Sequence, residues 1–126
     1  MAVASQGISM YDIRTSVKAV AAEAITQGFS CYIHTDGLAY RCDNGKSDVC
    51  HGWALNTVAA GDMVTLVTTC RMEVDTVQTI GARIYSGNVA AGSAPSTTLT
   101  ANGVVCGYAI SADQVFANVP TPAADG

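Results

Sequence analysis

The amino-acid sequence predicts an all-β fold, a small β-barrel or sandwich built from two related β units. Short runs rich in Val, Ile, Thr and Tyr alternate with turn signals such as Asp36-Gly37 and Asn102-Gly103. No long run shows the spacing of an amphipathic helix, and one residue pattern occurs twice. Strands at this spacing are typical of sandwiches and small barrels.

Nine runs are predicted as strands, in chain order 13–20, 30–34, 38–41, 49–55, 63–67, 70–74, 83–86, 104–110 and 114–119. The first has a helical competitor over residues 16–24, where Val17, Val20, Ala21 and Ala24 share one helical face. We expect a strand over its first half. Residues 35–37 close a tight hairpin between the second and third strands, and Gly-containing turns separate several of the others.

An internal repeat is visible in the printed sequence. Residues 49–55 (VCHGWAL) align with residues 104–110 (VVCGYAI), so that Gly52 and Trp53 match Gly107 and Tyr108. Upstream, residues 28–32 align with 81–85, and downstream residues 64–67 can be set against 116–119. Two copies of a unit of three to four strands are predicted, each closing on the other to bury a common core. We expect Trp53 and Tyr108 to occupy equivalent core positions, with the glycines at bends or bulges.

A single domain is expected from the 126 residues, because two domains of about 60 residues would each have a marginal core. We divide the chain into an N-terminal arm (1–18), a β domain (19–120) with repeat units at about 24–74 and 79–119, and a flexible C-terminal tail (121–126). The hydrophobic fraction of 49% excludes an intrinsically disordered chain.

The charge content narrows the possible partners. Only 13% of residues are charged and the net charge is -4, with the six Lys and Arg residues scattered along the chain. This excludes the basic patch of a nucleic-acid-binding protein and disfavours an anionic membrane surface. No apolar stretch is long enough to span a membrane, and the first residues lack the features of a secretory signal.

The residues that can carry chemistry do not form a recognisable catalytic or metal motif. Five cysteines stand without paired short spacings, so we expect buried thiols in place of a disulfide framework or a zinc site with His34 and His51. Asp36 lies in a turn, where Asp usually serves the backbone. No nucleophile elbow or phosphate-binding glycine loop occurs, so we expect neither an enzyme nor a cofactor.

Several of these runs resemble the capsid decoration, or cement, proteins of tailed bacteriophages. In the first unit they are AITQGFSCYI (24–33), DGLAYRC (36–42) and HGWALNTVAAGDMV (51–64), and in the second they are IGARIY (80–85) and GVVCGYAI (103–110). The resemblance covers about residues 19–119. It implies a small β-barrel-like domain that binds the outside of an expanded head and stabilises it against the pressure of the packaged DNA.

The resemblance also implies a partner and a location. The partner is the major capsid protein, the location is the exterior of the virion after synthesis in the host cytoplasm, and a homo-oligomer is expected, first as a trimer and second as a dimer. The leader of this chain is longer than the family pattern, and a loop at 87–96 replaces the tight hairpin of the first unit. Because large apolar residues are unusual in a free tail, we expect the leader to contact the capsid through Ile8, Met10, Tyr11 and Ile13.

A carbohydrate- or receptor-binding β module of a phage or bacterial surface structure is the alternative. Such a module needs an exposed aromatic platform with polar neighbours. The candidates are Tyr11, Tyr32, Tyr40, Trp53 and Tyr85.

Overall fold

A computed structural model describes residues 9–42, 50–74, 78–85 and 105–119 of the chain. The described elements are eight strands: β1 (Ser9–Ala21), β2 (Ser30–Ile33), β3 (Leu38–Arg41), β4 (Gly52–Ala54), β5 (Met63–Glu73), β6 (Arg83–Tyr85), β7 (Val105–Ser111) and β8 (Gln114–Asn118). The predicted all-β class is confirmed. In the described ranges, no helix has the length and apolar character that crossing a membrane requires.

The first five strands close into a ring, which we call the first ring. Their order is β1-β3-β2-β4-β5, and β1 also pairs with β5. The β1–β3 pair is parallel, and the other pairs are antiparallel. The tight hairpin predicted at residues 35–37 joins β2 to β3, with the N–H of Gly37 donating to the carbonyl of His34 over 2.8 Å.

Strand β5 continues beyond the first ring and begins a second layer, which we call the second sheet. Its first part pairs with β4, and its last five residues, Thr69–Glu73, pair with β8. The order then runs β5-β8-β7-β6. Along its opposite edge, β5 pairs with β1 in both of these parts. β5 therefore belongs to the first ring and to the second sheet.

Two apolar cores follow from this arrangement. The smaller core fills the first ring and includes Ile25, Ala54, Val64 and Leu66. The larger core lies on the second sheet and includes Trp53, Val67, Cys70, Met72, Val74, Ile84, Cys106, Ala109, Val115 and Ala117. Along β5, Val64 and Leu66 enter the smaller core, and Val67, Cys70 and Met72 enter the larger core. The neighbours Leu66 and Val67 point to opposite sides of the strand, since strand side chains alternate.

The strand pairings show the internal repeat. In the first ring Cys31 pairs with Gly52, and in the second sheet Ile84 pairs with Gly107, which are the positions matched in the sequence. A turn before each pair is also repeated: the residue after Gly28 or Gly81 donates its N–H to a threonine carbonyl, Thr26 or Thr79, over 3.0 Å. The two units therefore share register and entry turn.

The downstream part of the predicted alignment is wrong by three residues. Ala54 pairs with Leu66 in the first ring and the matching Ala109 pairs with Val115 in the second sheet, so the buried residues Leu66 and Val115 correspond. The sequence alignment placed Leu66 opposite Asn118 instead. Because strand side chains alternate, a shift by an odd number of residues exchanges the buried and exposed faces.

The first strand differs from its prediction. It is a strand through Ala21, with no helical turn, and residues 9–18 of the predicted arm belong to β1 and pair with β5. The arm is therefore part of the β domain from Ser9 onward. Ile8, the loop at 87–96 and the tail at 121–126 lie outside the described residues.

The predicted strands 63–67 and 70–74 form one strand, β5. The predicted break at Thr68 and Thr69 does not occur. Both are β-branched and fit a half-buried strand, and Thr69 pairs with β1 and β8 at once.

Candidate docking surface on the second sheet

The second sheet carries an apolar surface on the side opposite its core. We call it the outer face and define it by one residue of β1, one of β5, three of β7 and one of β8, namely Ile13, Arg71, Val105, Tyr108, Ile110 and Phe116. Ile13, Val105, Tyr108 and Ile110 are exposed large hydrophobic residues. Large apolar side chains gathered on one exposed face are typical of an interaction surface.

An aromatic pair forms the centre of the outer face. Tyr108 and Phe116 lie opposite each other in the β7–β8 ladder, with ring centroids 5.4 Å apart and the rings tilted by 44°. They line a shallow groove of about 270 Å³ together with Val105, Gly107 and Asn118. Its wall offers aromatic area with a polar amide at one end.

A bulge in β1 forms one side of the second groove. Tyr11 pairs with Arg71 and Thr15 with Thr69, so three residues of β1 lie opposite Cys70 alone. Asp12, the first of the three, has a φ of 55°, which is unusual for a residue other than glycine. The bulge directs Ile13 and Arg14 toward a groove of about 370 Å³, lined also by Ile110 and Phe116.

Arg71 is one of the charged residues that line this groove. Its Nε donates to Oδ2 of Asp12 over 3.2 Å, and its guanidinium lies 4.7 Å from the ring centroid of Tyr11. Exposed ion pairs of this kind contribute little stability. Their effect here is to hold the arginine against the bulge, with Arg14 beside the groove as a second cation.

The two repeat units differ in how this face is covered. Trp53 is fully buried, whereas Tyr108, which occupies the matching ladder position, is 51% exposed. The expectation that both are core residues is correct for Trp53 and wrong for Tyr108. Trp53 points out of the first ring into the larger core, and Tyr108 points out of the second sheet, where no further described element follows.

The predicted site residues are distributed around this surface. Ile13 lies on the outer face, and Tyr11 is exposed beside it against Arg71. Met10 is half-buried and packs on the larger core, so its main contact is within the chain. Gly52 and Gly107 are sites of close packing, because a Cβ at Gly52 would lie 2.8 Å from Cβ of Leu66 and one at Gly107 would overlap the carbonyl of Phe116.

Sequence reasoning missed Val105, Ile110 and Phe116 as surface residues. The run 104–110 could have indicated them, because it has apolar residues at both odd-numbered and even-numbered positions. A strand with one face in water alternates between apolar and polar residues, so a run that is apolar on both faces indicates that both are covered. Among the described residues, only one of these faces is covered.

The residues considered for chemistry have structural partners. His51 accepts the N–H of Ile33 at Nδ1 over 2.7 Å, and burial lowers the pKa of His51. Asp36 accepts the N–H of Leu38 over 2.9 Å and the hydroxyl of Tyr40 over 2.6 Å, and these bonds lower the pKa of Asp36. These contacts stabilise the backbone and the β2–β3 hairpin.

The five cysteines are free thiols and are buried. Burial raises the pKa of Cys31 to about 12 and that of Cys70 to about 11, which keeps both thiols protonated and weakly nucleophilic at neutral pH. Across the described ranges, no group of three or more His, Cys, Asp or Glu side chains is arranged to hold a metal ion.

These features define an all-β domain with a closed ring and an attached sheet. A similar fold occurs among solved structures. No protein-family model matches the chain, and no curated protein sequence matches it. The fold is similar to that of the head fiber gp8.5 N base in bacteriophage phi29, with a TM-score of 0.55. The similarity covers 84% of this chain and 93% of that chain at 15% sequence identity, and it concerns the fold.

Proposed function

We propose that the protein is a structural component of a tailed-phage head that binds the outer surface of the expanded capsid and stabilises it against internal DNA pressure. The observation that carries the proposal is the fold shared with a phage head fiber base over most of both chains. The capsid cement resemblance of the sequence supports the same location. The function needs no catalytic group and no cofactor.

The outer face is the proposed contact with the major capsid protein. It presents the Tyr108–Phe116 pair and Ile13 beside two arginines, Arg14 and Arg71, and so offers apolar area and hydrogen-bond donors to a protein partner. Many copies on a lattice bind with avidity even when each contact is weak. A protein that binds only the expanded shell stabilises that state by mass action.

The experiment is cosedimentation of the purified chain with unexpanded and expanded heads, with the number of bound copies measured at saturation. Saturable binding to expanded heads alone is expected, and the copy number gives the symmetry position and the oligomeric state. Binding to neither form would overturn the proposal. Heads saturated with the protein should also release their DNA at a higher temperature than bare heads.

The contact surface has its own test with a matched control. Tyr108→Ser and Phe116→Ser remove apolar area from the outer face, and Ile80→Ser removes a similarly exposed apolar residue elsewhere. The first two variants are expected to bind heads at least about tenfold more weakly, since each loses on the order of 1.4 kcal/mol or more of apolar contact. Ile80→Ser should bind as the parent does, and an equal loss in all three would refute the assignment of this face.

The alternative is a carbohydrate- or receptor-binding module, and one cluster of the first ring favours it. Tyr32 and Tyr40 stack with centroids 5.6 Å apart, and His34 meets both rings edge-on. A glycan array with the parent and with Tyr40→Ala distinguishes the two functions. Saturable glycan binding lost in the variant, without head binding by the parent, would favour the alternative.

A further inference from the structure

Among the strands that the structure describes, β1 has one edge that is unpaired over most of its length. β5 pairs with the other edge from Ser9 to Val20, and β3 reaches the open edge only at Val20 and Ala21. Within the described ranges, no strand pairs with the open edge between Ser9 and Ala19. Residues 11–18 are all exposed. An exposed, unpaired strand edge is a template for a strand of another chain.

The hydrogen bonds near the end of β1 fix which residues face this edge. The N–H of Ala21 donates over 2.8 Å to Asp62, on the β5 side, and the N–H of Ala22 donates over 2.9 Å to Ala39 of β3. Backbone groups alternate in direction along a strand. Ser16 and Lys18 therefore direct their N–H and C=O groups toward the open edge.

We propose that this edge pairs antiparallel with the same edge of a second copy of the chain, about a two-fold axis at Val17. Ser16 of each copy then faces Lys18 of the other, and each such pair exchanges both backbone hydrogen bonds. The two Val17 side chains, each 46% exposed in the single chain, face each other at the position between these pairs.

The positive charges of β1 favour this register over registers that are shifted by two residues. A shift of two residues in one direction places Lys18 against Lys18 of the second copy, and a shift in the other direction places Lys18 against Arg14. Like charges directly opposite each other destabilise a ladder. A further shift sets Lys18 against Asp12, but it runs through the bulge, where the regular alternation is broken. The register centred on Val17 avoids both problems.

The extent of the interface follows from its two limits. β3 begins to pair at Val20, and the register shift between Thr15 and Ser16 marks the other end. With the two-fold axis at Val17, the regular ladder therefore covers residues 16–18 of each copy. An interface of this size falls below the roughly 1,000 Å² of a stable complex, so the dimer forms reversibly at high concentration. Copies held near one another on a surface meet that condition.

Cysteine scanning of the three central residues tests the register. In this arrangement, the Val17 Cα atoms are about 4.5 Å apart, a separation that a disulfide can bridge. We expect Val17→Cys to give a covalent dimer when treated with oxidised glutathione and run on a non-reducing gel. Ser16→Cys and Lys18→Cys place each thiol opposite a different residue and should give several-fold less. The native cysteines are buried, so background cross-linking is low.

A charge exchange gives an independent readout on proteins without introduced thiols. Ser16→Lys sets two lysines opposite each other and should abolish association in sedimentation velocity at high concentration. The double variant with Ser16→Lys and Lys18→Ser restores the parent arrangement and should restore association. Equal cross-linking of the three cysteine variants, or association unaffected by Ser16→Lys, would overturn the proposal. Circular dichroism establishes that each variant is folded, and the assays need no capsid.

Discussion

The backbone of Gly107 lies very close to the neighbouring strand β8. Its φ is +140°, and a Cβ there would overlap the carbonyl oxygen of Phe116 in the neighbouring strand. Gly61 also has a positive φ, of +92°, but a Cβ there has nothing within 4 Å. Alanine substitutions at these two glycines therefore distinguish the effect of a positive φ on stability from the effect of close packing.

We predict that Gly107→Ala prevents folding or lowers the free energy of unfolding by more than about 3 kcal/mol, since β7 and β8 must move apart. Gly61→Ala should cost about 1 to 2 kcal/mol, from its φ alone. Urea unfolding followed by circular dichroism measures both. Equal losses would show that the carbonyl of Phe116 is not the obstacle.

The buried thiols make the fold sensitive to alkali. The ordinary thiol pKa of 9.0 is raised to about 12 at Cys31 and about 11 at Cys70 by burial. The folded state thus holds protons that the unfolded chain releases above pH 9. Each thiol's stabilisation is complete below pH 9 and is lost as the pH rises toward its folded pKa, at about 1.4 kcal/mol per pH unit.

We predict a falling urea midpoint between pH 9 and pH 11, with a shallower slope in Cys70→Ala, which removes one ionising group. The other ionisable groups are the same in both proteins, so the difference in slope between them reports the thiol. An unchanged slope would show that Cys70 ionises in the folded state as it does in the unfolded chain.

Strand β1 is the element on which the ring closure and the open edge both depend. Its odd-numbered residues near Val17 bond to β5, and its even-numbered residues face the open edge. Proline lacks an N–H, so its cost in a strand depends on which way that N–H points.

We predict that Val17→Pro lowers the free energy of unfolding by about 2 kcal/mol more than Lys18→Pro, because only the first leaves a ladder carbonyl of β5 without its donor. Chemical unfolding of the two variants checks this difference. If Lys18→Pro is the more damaging change, the assigned direction of the backbone groups is wrong.

At the scale of elements, turn residues and apolar runs predicted most of the fold. β3 agrees with its prediction at both ends, and the Gly52 and Gly107 match gave the register of both repeat units. The predictions fail where the conformation of a residue depends on strands that are distant in the sequence. Thr68 and Thr69 belong to a continuous strand because two layers share it.

The exposed position of Tyr108 could not be predicted from the repeat. The sequence matches Tyr108 to Trp53, but whether a side chain is buried depends on what lies beyond the unit that carries it. The outer face was missed for the same reason, with Ile13 as its one predicted member. Its other members become neighbours only through the β1–β5–β8–β7 pairing.

At the scale of the whole molecule, β5 contributes to both cores, so we expect the two cores to unfold together. Leu66 fills the smaller core and Val67 the larger, next to each other on the same strand. Unfolding either core therefore removes a strand from the other.

We predict a single unfolding transition, with the same midpoint for Trp53 fluorescence and far-UV circular dichroism. Leu66→Ala in the smaller core and Val115→Ala in the larger should both lower that midpoint without separating the two signals. A variant in which the signals diverge would show that the halves unfold independently.

The position of β5 between β1 and β8 also decides how the molecule resists force. Both flanking strands run antiparallel to β5, so they are parallel to each other, and the described chain begins on one and ends beside the other. Tension applied between Ser9 and Val119 pulls the flanking strands in opposite directions along their axes. Because the hydrogen bonds of an antiparallel ladder lie across the strands, such tension shears many of them at once instead of opening them singly.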